Sequence, residues 1–156
     1  MSDKIWHPSN IEWDDFTGMV FTNGCFDIIH AGHVRFLQRA KEFGKHLVVA
    51  LNSDASVRRL KGDSRPINKL EDRMQVVAAL SCVDVVTHFD TNDVSMLLYK
   101  YKPHCWIKAG YTIDTLNKKE VFNARQVGTA IVLLENFGNY STTSLQEKLK
   151  HTTNST

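Results

Sequence analysis

Five short runs of apolar, largely β-branched residues, at 19–22, 46–51, 84–88, 104–108 and 130–134, recur along the chain with amphipathic stretches between them. That alternation is the sequence form of a parallel α/β sheet, since parallel neighbours need a crossover of a dozen or more residues, normally a helix. Most of the runs are continuously apolar, as expected when helices cover both sheet faces. The intervening segments carry helical spacing. Val34, Leu37, Ala40 and Lys41 form one stripe, closed by Phe43 with Gly44 placed as a left-handed stop. Leu70, Met74, Val77 and Leu80 form another, and Val94, Leu97, Leu98 and Tyr101 a third that ends before Pro103. Leu116, Glu120, Ala124 and Gly128 outline a weaker helix, and Leu145 and Leu149 a last one after the cap signal Ser141-Thr142-Thr143. The expected fold is a Rossmann-like, doubly wound, parallel five-stranded sheet with helices on both faces.

A chain of 156 residues holds one such domain. Residues 1–17, with Trp6, Trp13 and Phe16 but no periodicity, are expected to be an arm packed on a domain of residues 18–150, and residues 151–156 a flexible tail. Nineteen Lys and Arg against seventeen Asp and Glu leave a net charge of +2, too small for the basic footprint of a nucleic-acid binder. Cys25, Cys82 and Cys105 are odd in number and lack a CxxC spacing, which fits free thiols in a reducing compartment. With no membrane-length apolar run and no signal-peptide core at the N-terminus, a cytoplasmic protein is expected.

Ligands of open parallel sheets bind beyond the carboxyl ends of the strands, so the residues after each run are the ones to read for chemistry. The first run leads into Thr22-Asn23-Gly24-Cys25-Phe26-Asp27 and His30-Ala31-Gly32-His33. Residues three apart at a helix start share one side of a turn, so both imidazoles can face one ligand. Gly32 leaves room for close backbone approach, and the unpaired N–H groups of the helix start attract phosphate. A zinc site needs three or four ligands, and no further His or Cys is spaced to complete one, so no protein-held metal is expected. Asp27 reads either as an orienting carboxylate near a magnesium-bound triphosphate or as a turn carboxylate bonding backbone N–H groups. Lys61 and Arg65 fall in a stretch rich in Gly, Asp and Ser that reads as a loop able to close over a ligand. Arg73, on the polar side of its helix, either reaches phosphate or pairs with Glu71 or Asp72. Lys108 ends an apolar strand at the ligand edge, where packing rarely requires a lysine. Cys25 reads as a small buried residue.

The segment from Thr22 to His33 resembles the signature of the cytidylyltransferase-like nucleotidyltransferase superfamily. Asn52-Ser53-Asp54, the block from Leu60 to Asn68, Glu71-Asp72-Arg73 and Ser141-Thr142-Thr143 are similar to the adenylyltransferase domain of bacterial ADP-heptose synthases. The resemblance spans about residues 18–150. It implies transfer of a nucleoside monophosphate from ATP to a sugar 1-phosphate with release of pyrophosphate, Mg2+ entering with the triphosphate. It further implies that His30, His33, Lys61, Arg65 and Lys108 are catalytic, and that Asn23, Gly24, Phe26, Asp27, Gly32, Asn52, Asp54, Arg73, Ser141, Thr142 and Thr143 bind the nucleotide. Relatives of this type are commonly dimers, and the aromatic arm is a candidate interface.

Two departures stand out. The heptose-type pattern Lys-Gly-Gly-Asp-Tyr is here Lys108-Ala109-Gly110-Tyr111, one residue shorter and without the Asp, which bears on the acceptor. No sugar-kinase segment accompanies the domain, so a separate kinase is expected. The nearest rival, a glycerol-3-phosphate cytidylyltransferase using CTP and a polyol phosphate, usually carries an Arg-Thr segment before its Ser-Thr-Thr. Residues 135–140 contain no arginine, which favours ATP. A silent nucleotide-binding module is the reading from another class, opposed by the joint presence of His30, His33, Lys61, Arg65 and Lys108. No membrane or nucleic-acid partner is expected.

Overall fold

A computed structural model describes residues 2–12 and 17–137. Its core is a parallel sheet of β1 (Met19–Gly24), β2 (His46–Asn52), β3 (Val85–Phe89), β4 (Cys105–Ala109) and β5 (Ala130–Leu134). Their spatial order is β3-β2-β1-β4-β5. The helices are α1 (Ala31–Lys41), α2 (Asp54–Lys61), α3 (Leu70–Ala78), α4 (Ser95–Tyr101) and α5 (Lys118–Gln126). Each expected strand is present within a residue or two of its run. The last expected helix, around Leu145 and Leu149, lies outside the described residues, as do Trp13 and Phe16.

Successive strand residues point to opposite sides, and the core divides accordingly. Val20, Leu47, Val49, Leu51 and Ile107 meet Phe36, Leu37 and Ala40 of α1 and Met74 and Val77 of α3. Met19, Phe21, Val48, Ala50 and Trp106 meet Leu98 and Tyr101 of α4 and Ala124 of α5. Each fully buried aliphatic side chain contributes about 1.5–3 kcal/mol, so two such layers hold the sheet without metal or disulfide; the three cysteines are free thiols.

Two local expectations are corrected. α1 ends at Glu42 in ordinary helical geometry, and Gly44 is not left-handed. Its missing side chain instead lets the chain pass against Gly18 and Val20, where a Cβ would collide. Lys61 belongs to a helix over residues 54–61 rather than to a loop; the helix is started by Ser53, whose Oγ accepts the Ser56 N–H at 3.1 Å. Apart from Val57 and the exposed Leu60, that segment lacks an apolar stripe, so cap chemistry rather than periodicity marks it. Lys61 is therefore the last residue of a helix.

The N-terminal arm lies along the free side of β3. Trp6 N–H donates to Val86 O at 2.9 Å and Val86 N–H to Lys4 O at 2.8 Å, covering backbone groups that an edge strand otherwise leaves open. Ile11 is buried and Trp6 packs on the α4–α5 side of the core. Among the described residues no helix is long and apolar enough to cross a membrane.

Candidate functional site

The chain builds outward from β1 to β2 and β3, then returns to the other side of β1 for β4 and β5. This makes the β1–β4 boundary the point where strand order reverses. β1 pairs with β2 along its whole length, from Met19–His46 to Gly24–Leu51, but with β4 only at Val20–Cys105 and Phe21–Trp106. Beyond that point the two strands separate, and side chains replace the ladder. Thr22 Oγ1 donates to Ile107 O at 2.7 Å, Trp106 Nε1 to Asn23 Oδ1 at 3.0 Å, and Lys108 Nζ to Asn23 O at 3.1 Å. The opening is a cleft of about 230 Å³.

One wall comes from the turn into α1. Phe26 is buried and holds a positive φ of 48°, a conformation an L-residue adopts only when its surroundings impose it. Its ring lies against Gly24 and is 5.3 Å from that of His33. His30 caps α1: its Nδ1 accepts the Gly32 N–H at 3.1 Å, while His33 Nδ1 accepts the His30 N–H at 3.3 Å. This reciprocal arrangement is a capping box built from two histidines. Each Nδ1 is thus an acceptor, so the proton of each neutral ring sits on Nε2. The ring centroids are 3.9 Å apart. Burial lowers the pKa of both imidazoles, and for His33 the neighbouring His30 and Lys61 add to it, bringing it down to about 4. Both rings are therefore neutral at pH 7. Gly32 is required here, because a Cβ would press on Phe137 O and the His30 ring.

The other wall comes from the exits of β4 and β5: Lys108, Ala109, Tyr111, Asn136 and Phe137. Lys108 Nζ is 5.2 Å from the centre of the Tyr111 ring, and burial lowers its pKa, opposed by Glu120 and Cys25. Asn23, Gly24, Phe26, His30, Gly32, His33 and Lys108 thus share one cleft. Lys61 is exposed and does not line it, but is near enough to influence His33.

Arg73, Asp27, Asn52 and Asp54 form a second, hydrogen-bonded group outside the described cleft lining. Arg73 is 1% exposed and reaches neither solvent nor its sequence neighbours Glu71 and Asp72. Its guanidinium donates to Asn68 O at 3.0 Å, Cys25 O at 2.8 Å, Asn52 O at 2.9 Å and Asp54 Oδ1 at 2.8 Å. Asp27 is likewise occupied: its carboxylate accepts the Ile67 and Asn68 N–H groups at 2.7 and 2.8 Å, the turn-carboxylate reading carried across the molecule. Asp54 also accepts the Leu70 N–H, and Asn52 bonds Ser56 Oγ at 3.0 Å. Arg65 is buried and away from the cleft lining rather than in an exposed loop. Cys25 is half-exposed on the cleft instead of buried. Ser141, Thr142 and Thr143 lie outside the described residues.

Sequence reasoning missed Phe36, Asn136 and Phe137 as cleft residues. Phe36 sits one turn beyond His33 on the same helix face, and the other two directly follow β5, so helical spacing and the strand-end rule were signals for them. Among the described residues no three His, Cys, Asp or Glu side chains gather as a metal site, and the cleft lining contains no carboxylate. The donors present do not suit a resident divalent cation.

Residues 21–148 match the description "Cytidylyltransferase-like". The chain belongs to that family. Among its relatives, the bifunctional protein HldE of Alcanivorax borkumensis is 47% identical over 133 residues, covering 85% of this chain and 28% of that protein. HldE of Helicobacter pylori strain G27 is 45% identical over 136 residues, covering 87% of this chain and 28% of its own length. The chain therefore spans less than a third of these relatives. A lipopolysaccharide core biosynthesis protein from Thermoplasma volcanium shares the fold, with a TM-score of 0.62 at 24% identity over 79% of this chain and 98% of that one.

Proposed function

We propose that this cytidylyltransferase-like chain is an adenylyltransferase acting on a sugar 1-phosphate of the heptose type, with residues 18–150 as the catalytic unit. A phosphate oxygen of the acceptor attacks the α-phosphorus of ATP. The new P–O bond forms as the bond from the α-phosphorus to the bridging oxygen breaks, and pyrophosphate leaves with that electron pair. No covalent enzyme intermediate is needed, so the protein's contribution is positioning and stabilisation of spreading negative charge.

The observation that carries this reading is the His30–His33 pair, stacked at the start of α1 where the β1–β4 split opens, facing Lys108 across one cleft. The helix start supplies backbone N–H groups and the positive end of its dipole. The neutral imidazoles supply N–H donors that cost little to bury before substrate arrives. Once phosphate oxygens approach, their charge favours the protonated rings, so attraction grows as the leaving pyrophosphate gathers charge. Lys108 brings an ammonium whose charge burial disfavours and an incoming phosphate restores. Mg2+ fits as part of the substrate, carried on phosphate oxygens and water, since the described cleft residues offer it no carboxylate. The adenylyl reading, with the acceptor made by a kinase outside these residues, rests on the HldE relatives and on the motif resemblance to ADP-heptose synthases.

The test is a panel of ATP and CTP against sugar 1-phosphates and glycerol 3-phosphate, read by pyrophosphate release. ATP with a heptose 1-phosphate is expected to give the highest kcat/KM. A higher value with CTP and glycerol 3-phosphate overturns the assignment in favour of a cytidylyltransferase. ATP binding without turnover on any acceptor makes the chain a silent binding module.

A further inference from the structure

We propose that Tyr111 selects the acceptor: its ring is a platform for the carbohydrate ring of a cyclic sugar phosphate whose phosphate is taken by Lys108. The proposal rests on the reading of the cleft as a nucleotidyl-transfer site and adds to it the residue that distinguishes a cyclic acceptor from an open-chain one.

Tyr111 is held from both sides. Before it, Gly110 has a left-handed φ of 78° and donates its N–H to Leu134 O at 3.0 Å. The Asn136 amide occupies the space a Cβ at Gly110 would need, so the exit of β4 is pressed against the exit of β5. After it, Thr112 N–H donates to Thr115 Oγ1 at 2.8 Å, and Leu116 N–H to Thr112 O at 3.2 Å, with Leu116 buried as the anchor. This is a short strap between two fixed points rather than a long mobile loop. The ring is held over the Lys108 ammonium, yet 44% of the residue stays exposed on the cleft. Tyr101 and Trp106, aromatic residues that serve packing, are fully buried. A fixed, half-open aromatic ring beside a cation is suited to a ligand with an apolar face and an anionic group.

In-line displacement settles which substrate that is. The attacking and leaving oxygens stand on opposite sides of the α-phosphorus. With the leaving pyrophosphate at His30 and His33, the acceptor approaches from the wall of Lys108 and Tyr111. The C–H face of a pyranose lies flat on an aromatic ring; an open-chain polyol phosphate has no fixed face to offer.

The test compares wild type, Tyr111→Ala and Tyr111→Phe with a cyclic sugar 1-phosphate and with glycerol 3-phosphate, both by turnover with ATP and by equilibrium binding of each acceptor alone. For Tyr111→Ala, KM for the cyclic acceptor is expected to rise roughly tenfold, the scale of one lost apolar contact, with kcat and KM for ATP little changed. Glycerol 3-phosphate is expected to be unaffected, and Tyr111→Phe to behave as wild type. A rise in KM for ATP instead, equal weakening of both acceptors, or failure of Tyr111→Phe to rescue overturns the proposal. Absence of turnover in the wild type counts against the transferase reading alone. Binding then decides Tyr111: weaker cyclic-acceptor binding by Tyr111→Ala supports the platform, and equal or undetectable binding by both proteins overturns it.

Discussion

Arg73 and Lys108 both stand beside the exits of parallel strands, yet the fold uses their charges in opposite ways. Arg73 donates to four acceptors, three carbonyls and the Asp54 carboxylate, and is closed off from water. Among the described residues Lys108 makes one hydrogen bond, to Asn23 O, with no carboxylate bonded to it directly, and burial lowers its pKa. A cation whose bonds are complete inside the protein has nothing left for a ligand; one held with donors uncommitted is poised to gain from an incoming phosphate. The two regions divide the work of the site. Arg73 and Asp27 fasten the β1 and β2 exits to the segment before α3, while His30, His33 and Lys108 face the space those exits enclose.

The sharpest way to break this comparison is to remove Arg73. Arg73→Leu keeps apolar volume but leaves the Asp54 carboxylate and three carbonyls without their donor. The expected loss is about 3 kcal/mol, chiefly from buried carbonyls left without a donor, since Asp54 is one-third exposed and regains water. Denaturant unfolding with and without ATP is the measurement. Near-normal stability with abolished transfer would place Arg73 among the ligand contacts after all.

His33→Ala is expected to do the reverse: about 100-fold off kcat, roughly 3 kcal/mol of transition-state stabilisation, with folding preserved. The variant loses a side chain from the cleft wall and one side of a capping box, whose cost to stability is on the order of 1 kcal/mol. Circular dichroism and pyrophosphate-release kinetics separate the two effects. A rate within a few-fold of wild type would leave the histidine pair as a helix cap and nothing more.

The part of this division that could be read from the amino acids is the part governed by short-range pattern. The β5 run coincides with the strand, because five consecutive apolar side chains admit few alternatives. The juxtaposition of His30 and His33 is legible because both lie on one turn. Arg73 was misread because its neighbours in sequence, Glu71 and Asp72, are exposed, while its carboxylate partner is 19 residues away. Asp27 meets N–H groups 40 and 41 residues distant. Such partners are set by strand order, and a periodicity of 2 or 3.6 carries no record of it. α2 escaped notice for a different reason: a helix with so little apolar surface leaves no stripe, only the Ser53 cap.

The smallest expected effect concerns protons. Burial, then His30 and Lys61, hold the folded His33 pKa at about 4, against an ordinary 6.5. Below pH 6.5 the unfolded chain binds the proton more readily than the folded one, so this group's contribution erodes stability as pH falls from about 6.5 to about 4, and is neutral above that window. A triphosphate beside the ring reverses the bias by favouring the imidazolium. Binding ATP between pH 5.5 and 7 is therefore expected to take up a fraction of a proton at His33, and affinity to rise as pH falls. Calorimetry in two buffers of different ionisation enthalpy reads the uptake directly, and His33→Gln corrects for protons exchanged by the nucleotide itself. Identical proton counts for the two proteins would mean that the phosphates never reach His33, and would return the histidine pair to the structural side of the comparison with Arg73.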